Sequence, residues 1–253
     1  MGSPRIMPPA QWLVVVAGAA LGWWMFHYRG AALFAGVGLA VAMGFTLLAR
    51  VAPRLAAAAA LGGAALALHS SSTLGWAGAD AADGSRFKAS PVGLSHVLTP
   101  ARLESETVDC GWHSVSSYAD PCTVADASAF RWLRTVYPLV LSSALLALAG
   151  SVTALLRSPR STSMHRALAG SAGAVALVAL VLFAQSVRPA LAAITGLPVG
   201  VGGTLGTMQL SLALLLCLTA AIGSHSRSAN RIPGFRRFHH EGKKVAKVPR
   251  YSS

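Results

Sequence analysis

The strongest constraint on this chain is a set of long apolar stretches in which no Asp, Glu, Lys or Arg occurs. A transmembrane helix needs about 20 mostly apolar residues to cross a hydrocarbon layer about 30 Å thick. Five stretches are of this kind: Trp12–Tyr28, Ala31–Ala49, Val136–Leu156, Ala167–Val187 and Leu205–Gly223. The chain has 54% hydrophobic and only 11% charged residues, whereas a soluble domain has about 25% charged residues. These features predict an integral membrane protein.

A sixth stretch, Leu55–Leu68, is apolar for only about 14 residues, a length more typical of a re-entrant or interfacial segment. It crosses a membrane only if the helix continues through His69 and Ser70–Thr73 to Leu74–Trp76. The predicted fold class is therefore an all-α polytopic membrane protein with about six transmembrane helices, or five if this stretch does not cross.

The charges are segregated along the sequence. All but one of the eight carboxylates lie between Asp80 and Asp126, and the exception is Glu241. Basic residues crowd the C-terminal tail: Arg227, Arg231, Arg236, Arg237, Lys243, Lys244, Lys247 and Arg250. Lys and Arg near the ends of membrane segments stay on the cytoplasmic side. The sequence therefore predicts an acidic loop outside and a basic tail inside, with either six or five spans.

Four regions follow from this pattern: residues 1–76 with three apolar stretches, an outer loop at 77–133, a three-helix segment at 134–224 and a basic tail at 225–253. The first span is predicted to be uncleaved, because its apolar character continues through Leu21–Phe26 beyond a signal-peptide core. The Ala-rich spans and the lack of an Asn-x-Ser/Thr sequon favour a bacterial inner membrane, with the mitochondrial inner membrane as the alternative.

The outer loop holds two of the three cysteines. A disulfide between Cys110 and Cys122 is expected in an oxidising compartment, where it stabilises a short loop by about 3 kcal/mol. Two unpaired thiols are the alternative, and no metal site is predicted. Within the loop, Ala77–Ser90 is interpreted as disordered or extended. The third cysteine, Cys217, is interpreted as a small buried hydrophobe.

Two histidines are candidate cofactor ligands. His27 and His69 each follow an apolar run. They are placed near the outer ends of the Trp12–Tyr28 span and of the Leu55–Leu68 segment. Two imidazoles in such positions can ligate a b-type haem or a metal. The alternative is an interfacial role, with the polar part of each side chain in water. The prediction is no cofactor, with haem b kept as an alternative.

Small residues and one broken segment carry further hypotheses. Gly18 and Gly22 are four residues apart, and such pairs permit close helix contact, either with a partner or inside this bundle. The segment Pro189–Thr204 is apolar but rich in Gly and Pro. It is interpreted as an external connector, with the start of a substrate path as the alternative.

One resemblance is topological. From Leu55–Leu68 onward, the order is a span, an outer loop with two cysteines, two spans, a short outer loop, a final span and a basic tail. This order resembles the four-span arrangement of the claudins. The claudin loop places Gly-Leu-Trp before its first cysteine, whereas here Trp112 follows Cys110 and two further spans precede the unit. No residue role is transferred.

No catalytic motif is present: the chain has no Walker loop, Rossmann fingerprint or zincin histidine pair. The absence of charged residues within the spans argues against ion pumps and proton-coupled transporters. The predicted function is a non-catalytic accessory or assembly subunit of a larger membrane complex. It would make contact through small-residue helix faces, the outer loop and the tail. The predicted partners are other membrane subunits and anionic lipid head groups. Nucleic acid is not predicted as a partner. The alternatives are a transporter or channel for a neutral or lipid-like substrate, and a haem- or quinone-linked electron-transfer anchor.

Overall fold

The computed structural model describes residues 7–80, 86–97, 107–111, 132–156, 159–195 and 204–223. A short 3-10 helix, Pro9–Gln11, leads into the first long helix. The helices are α1 (Trp12–Val51), α2 (Pro53–Thr73), α3 (Leu133–Leu155), α4 (Pro159–Thr195) and α5 (Leu205–Gly223). Between α2 and α3 lie strands β1 (Ala77–Asp80), β2 (Arg86–Ala89), β3 (Gly93–Val97) and β4 (Thr107–Gly111). The protein is thus mostly helical, and five helices are long and apolar enough to cross a membrane.

The first long helix reverses direction at His27, whose backbone is non-helical with φ 57° and ψ −143°. A Cβ atom built on Gly38 would lie 2.8 Å from the carbonyl oxygen of Val14. In a straight helix these two residues would be about 36 Å apart. Therefore α1 is an antiparallel hairpin with a first arm (residues 12–26) and a second arm (residues 28–51).

The two arms touch backbone to backbone at glycines. A Cβ atom on Gly18 or Gly22 would collide with the carbonyl groups of Phe34 or Gly30, respectively. In a membrane, small residues allow this approach because no side chain separates the backbones. Of the two alternatives left open for Gly18 and Gly22, the structure shows packing inside the hairpin. The stretches predicted at Trp12–Tyr28 and Ala31–Ala49 correspond to the two arms.

The other four helices form a closed ring, in which α2 packs against α3 and α5, and α4 packs against the same two helices. The hairpin packs on the outside of this ring, mainly against α5. Hydroxyl groups join neighbouring helices: Ser151 donates to the Ala58 carbonyl at 2.8 Å, and Ser143 to the Ala172 carbonyl at 2.6 Å. Such bonds between membrane helices contribute about 0.6 kcal/mol each.

The sixth apolar stretch does continue as a helix. Its C-terminal residues, His69 and Ser70–Thr73, are all helical. Ser71 donates to the Leu68 carbonyl at 2.8 Å, and Ser72 to the His69 carbonyl at 2.6 Å. These bonds satisfy the hydroxyl groups within their own helix, so the polar residues extend α2 to a length that fits a span.

A four-stranded antiparallel sheet covers one end of the helices, which we call the sheet end. Its strand order is β1-β2-β3-β4, and Leu94 pairs with Cys110 across β3 and β4. The side chains of Phe87, Ala89 and Leu94 are buried in one cluster with Leu133 of α3. The expectation of an all-α protein is therefore wrong in this region, because strands of four or five residues leave almost no periodic signal.

The opposite end, which we call the terminal end, holds the N-terminus of the first arm and the C-terminus of α5. There Gln11 of the 3-10 helix and Phe45 of the second arm pack against Gly223. The hairpin turn lies beside the first half of α5, where Ser211 approaches Met25 at 3.8 Å. The two arms and the four other helices therefore run between the two ends in alternating directions, which gives six helical passes in the described residues.

The fourth helix runs past Pro189 and ends at Thr195. The interpretation of Pro189–Thr204 as an irregular connector is therefore wrong for its first part, and residues 196–203 lie outside the described residues. Proline removes one backbone hydrogen bond and bends a helix without ending it where neighbouring helices support the turn.

Trp76 fixes the sheet to the helices. It is fully buried, and its indole Nε1 donates to the Ser71 carbonyl at 2.7 Å. Its ring stands edge-to-face against Phe183 of α4, with centroids 5.0 Å apart. Its Cδ1 lies only 2.6 Å from the position of a Cβ on Gly206. One side chain thus connects β1, α2, α4 and α5.

The contact between the hairpin arms predicts that Gly22→Leu lowers the free energy of unfolding by more than about 2 kcal/mol, because the side chain meets backbone atoms that cannot move aside. Unfolding of the detergent-solubilised protein by sodium dodecyl sulfate, followed by tryptophan fluorescence, measures this value. The matched control is Gly36→Leu, where nothing lies within 4 Å of the new Cβ. Equal destabilisation by both variants would contradict the hairpin.

The position of Trp76 predicts that Trp76→Ala costs about 3–5 kcal/mol, as expected for removal of a buried aromatic ring. The control is Trp132→Ala, because Trp132 is 58% exposed at the same end and its loss should change stability by less than about 0.5 kcal/mol. The same unfolding titration reports both. A small effect at Trp76 would show that the sheet is not held by this residue.

Candidate functional site

The outward face of the second arm is the first candidate for a functional surface. Four small residues, Ala32, Gly36, Ala40 and Gly44, recur at every fourth position and are all exposed. We call this set the outward stripe. A Cβ atom on Gly36 or Gly44 would meet nothing within 4 Å. Glycine in a helix costs about 0.5–1 kcal/mol relative to alanine, and no internal contact offsets this cost here.

Other helical glycines differ from these two. A Cβ on Gly150 would lie 3.0 Å from the Leu61 side chain, and one on Gly173 would lie 3.5 Å from Cys217. Internal packing accounts for such positions. Internal packing does not account for Gly36 and Gly44. They lie on the least buried helix, since 17% of its most apolar 18-residue stretch is buried, against 56% for α2.

An apolar groove is the second candidate surface. It runs between the first arm and α4, with α5 as its floor, and has a volume of about 520 Å³. Ala20 and Trp24 line one wall, Gly170 and Ala174 line the other, and Cys217 lies on the floor. Like Gly36, Gly170 has open space where its Cβ would be. All lining side chains are apolar except for the indole nitrogen of Trp24 and the thiol of Cys217.

The two candidate histidines lie toward the sheet end on different elements. His27 forms the hairpin turn and is exposed, with its ring edge-to-face against Trp23 at 6.3 Å. His69 is exposed on α2. No hydrogen bond or ring contact joins the two imidazoles in the described part of the chain, and the described residues contain no group of three or more potential metal ligands. Ligation by His27 and His69 stays a prediction.

Other predicted site residues fall partly outside the described chain. Cys110 lies in β4, but Cys122 lies outside the described residues, so the disulfide stays a prediction. The basic residues of the tail, from Arg227 to Arg250, also lie outside them. Cys217 is 1% exposed within α5, which confirms its interpretation as a buried residue.

Two buried polar atoms at the terminal end were not anticipated from sequence. Gln11 Oε1 and His165 Nε2 have no hydrogen-bond partner among the described residues. The Nδ1 atom of His165 lies 2.9 Å from the Ser161 carbonyl and donates to it, so Nε2 carries the lone pair. Helical spacing places His165 on the face of α4 that packs toward Gly150 of α3, away from the apolar groove.

Comparison with known proteins gives no match: no family model fits the chain, and no curated protein or solved structure is significantly similar to it.

The left-handed backbone at His27 predicts that His27→Gly stabilises the protein by about 1 kcal/mol, because a Cβ atom is strained at positive φ. His27→Ala keeps the Cβ atom and should not stabilise. Unfolding titrations of the two variants measure the difference. If His27 instead ligates haem, the wild-type protein will show a Soret band that His27→Gly removes, and that result would contradict a role confined to the turn.

Proposed function

We propose that the protein is a non-catalytic accessory or assembly subunit of a larger membrane complex, and that it contacts a partner helix through the outward stripe. The observation that carries the proposal is the open space beside Gly36 and Gly44. Both glycines lie on an exposed face whose period of four residues is the one that close helix pairs use.

The physical reason lies in the membrane as a solvent. Lipid chains are as apolar as leucine, so helices gain nothing by hiding apolar side chains from lipid. They associate where backbones approach closely enough for van der Waals and Cα–H···O contacts. A glycine that faces lipid lowers the stability of its helix and makes no such contact. A glycine that faces a partner helix makes close backbone contacts, which offset this cost.

The flanking side chains support a docking face rather than a plain lipid-facing surface. Met43 and Leu47 are exposed on the same side of the arm, at 37% and 56%. Large side chains beside a row of small residues form a ridge next to a shallow channel, the shape into which the ridge of a second helix packs.

Within this proposal, the sheet end faces the outside and the terminal end faces the cytoplasm, most simply in a bacterial inner membrane. Arg50 and Arg54 lie at the terminal end, in agreement with the preference of basic residues for the cytoplasmic side. The outer loop, closed by Cys110 and Cys122, and the basic tail would add contacts to partner subunits and to anionic head groups.

The alternative functions have less support. A transporter or channel for a neutral or lipid-like substrate needs a path across the membrane. The apolar lining of the groove does not suit a polar neutral substrate, and the groove lies on the outside of the first arm, α4 and α5 and does not pass between all the helices. An electron-transfer anchor needs a pair of facing ligands, and its two candidates, His27 and His69, are both exposed.

A photoreactive amino acid placed at Ala40 tests the proposal in intact membranes of the native host. We expect cross-links to a protein of discrete mass, because this position lies at the centre of the outward stripe. The matched control is the same amino acid at Leu145, which is 58% exposed on α3 and should give lipid adducts only.

The double variant Gly36→Leu/Gly44→Leu should remove the cross-link from position 40, while the purified protein keeps its unfolding midpoint. Cross-linking that persists in the double variant, or that is equal at positions 40 and 145, would refute docking through the stripe. A cross-link only to a second copy of the chain would replace the proposal with self-association.

A further inference from the structure

The exposed side chains of α4 change from apolar to polar before the helix ends. Leu177, Val178 and Val181 are apolar and are 48%, 50% and 43% exposed. The next exposed residues along the helix are Gln185 and Arg188. A helix face that contacts lipid stays apolar across the hydrocarbon layer, because polar and charged side chains are costly there. The change indicates that α4 leaves the hydrocarbon between Val181 and Gln185.

The apolar residues of α4 beyond Val181 are buried in protein. Phe183 stands edge-to-face against Trp76, with ring centroids 5.0 Å apart. Val187 lies in the same buried cluster as Phe87 of β2. Contact with Trp76 and the sheet therefore explains why these residues are apolar.

The same change occurs on α2 and on the second arm of the hairpin. On α2, Leu66 is 72% exposed, and the next exposed residue is His69. On the second arm, Leu33 is 58% exposed and apolar, whereas Tyr28 and Arg29 lie nearer the hairpin turn and are polar. In both elements the polar residues lie on the side of the sheet end.

Contacts between helices place these changes at one level. The Ser211 hydroxyl of α5 lies 3.8 Å from the Met25 sulfur of the first arm. Two residues further toward the sheet end, α5 reaches Gln209 and the first arm reaches His27. Ser70 of α2 donates to Gln209 Oε1 at 2.8 Å. The hairpin turn, the polar end of α2 and Gln209 therefore share one level, which we call the polar level.

The change on α4 also lies at the polar level. A Cβ atom on Gly173 would lie 3.5 Å from the Cβ of Cys217 in α5. From this contact, α4 runs about 12 Å toward the sheet end to reach Val181, at a rise of about 1.5 Å per residue. Over the same distance α5 reaches Gln209.

The second arm gives the thickness of the apolar layer on the other side of the polar level. Arg29 and Arg50 lie on this arm, and no charged residue lies between them. At about 1.5 Å per residue they are about 32 Å apart, close to the hydrocarbon thickness of about 30 Å. The hydrocarbon of a bilayer therefore fits between the polar level and Arg50.

We propose that the bilayer surface at the sheet end lies at the polar level, and that the exposed apolar side chains between this level and Arg50 contact lipid. The sheet and residues 185–195 of α4 then form a domain in the aqueous phase. From Val181 to Thr195 the helix extends about 21 Å beyond the hydrocarbon, at about 1.5 Å per residue. The inference depends neither on the proposed partner helix nor on which end faces the cytoplasm.

Hydropathy alone places the bilayer surface elsewhere. The apolar stretch predicted at Ala167–Val187 ends about 9 Å beyond Val181, at about 1.5 Å per residue. If the end of that stretch marked the surface, Gln185 and Arg29 would both lie in hydrocarbon. The depth of residue 185 thus distinguishes the two positions of the bilayer.

Fluorescence quenching of the full chain in vesicles of phosphatidylethanolamine and phosphatidylglycerol measures this depth. An environment-sensitive fluorescent amino acid replaces one residue at a time, so the native cysteines stay in place. Brominated acyl chains quench a label in hydrocarbon, and iodide on both sides of the membrane quenches a label in water. We expect bromolipid quenching to exceed iodide quenching at Val178 and Leu66, and the order to reverse at Gln185 and His69.

The labels form two matched pairs, because both members of each pair are exposed on the same helix. Bromolipid quenching that exceeds iodide quenching at Gln185 would overturn the proposal, since the hydrocarbon would then extend beyond the polar level. Dominant iodide quenching at Val178 would overturn it as well, since the exposed apolar side chains would then not contact lipid.

A pair of charged variants tests the same boundary without a label. Val178→Arg puts a charge into the hydrocarbon and should lower the unfolding midpoint in the same vesicles, whereas Gln185→Arg should leave the midpoint unchanged. Both positions are exposed, so neither substitution disturbs internal packing. An equal loss in both variants, or no loss in either, would refute the proposed boundary.

Discussion

In a hydrocarbon solvent, apolar side chains gain nothing by turning inward, so this fold depends on close approach between backbones and on hydrogen bonds that its hydroxyl groups make internally. The hairpin shows the first requirement, because Gly22 touches the Gly30 backbone and Val14 touches that of Gly38. The ring of α2 to α5 shows the second, since Ser143 and Ser151 bond to carbonyl groups of neighbouring helices. Small residues and hydroxyls thus do in the membrane what large apolar side chains do in a soluble core.

The sheet end obeys different rules because it lies beyond the helices. There Trp76, Phe87 and Leu94 form a conventional apolar cluster with the helix ends. The cluster closes one end of the ring and places the sheet over it, while the terminal end carries the basic residues Arg50, Arg54 and Arg166. The two ends therefore differ: an apolar cluster holds the sheet at one end, and basic residues lie at the other.

Two surfaces stand out because internal packing does not explain them. The outward stripe presents glycines to empty space on a flat helix face, whereas the apolar groove presents Gly170 to open space between the first arm and α4. A flat face with a period of four small residues has the shape that a partner helix packs against. Both surfaces involve the hairpin, which is also the least buried element.

The sequence by itself determined the presence of helices long and apolar enough to cross a membrane, their approximate limits and the burial of Cys217, because these depend on local hydropathy and length. It left open whether Gly18 and Gly22 contact a partner or pack internally. It missed the sheet, whose strands are too short for a periodic signal, and it ended α4 too early at Pro189. Only the tertiary structure decided which glycines face the interior and which face open space. It alone showed that the first long helix reverses at His27 and that the first arm, α4 and α5 enclose an apolar groove. These properties depend on which helices are neighbours, and contacts between residues distant in the sequence leave no trace in local composition.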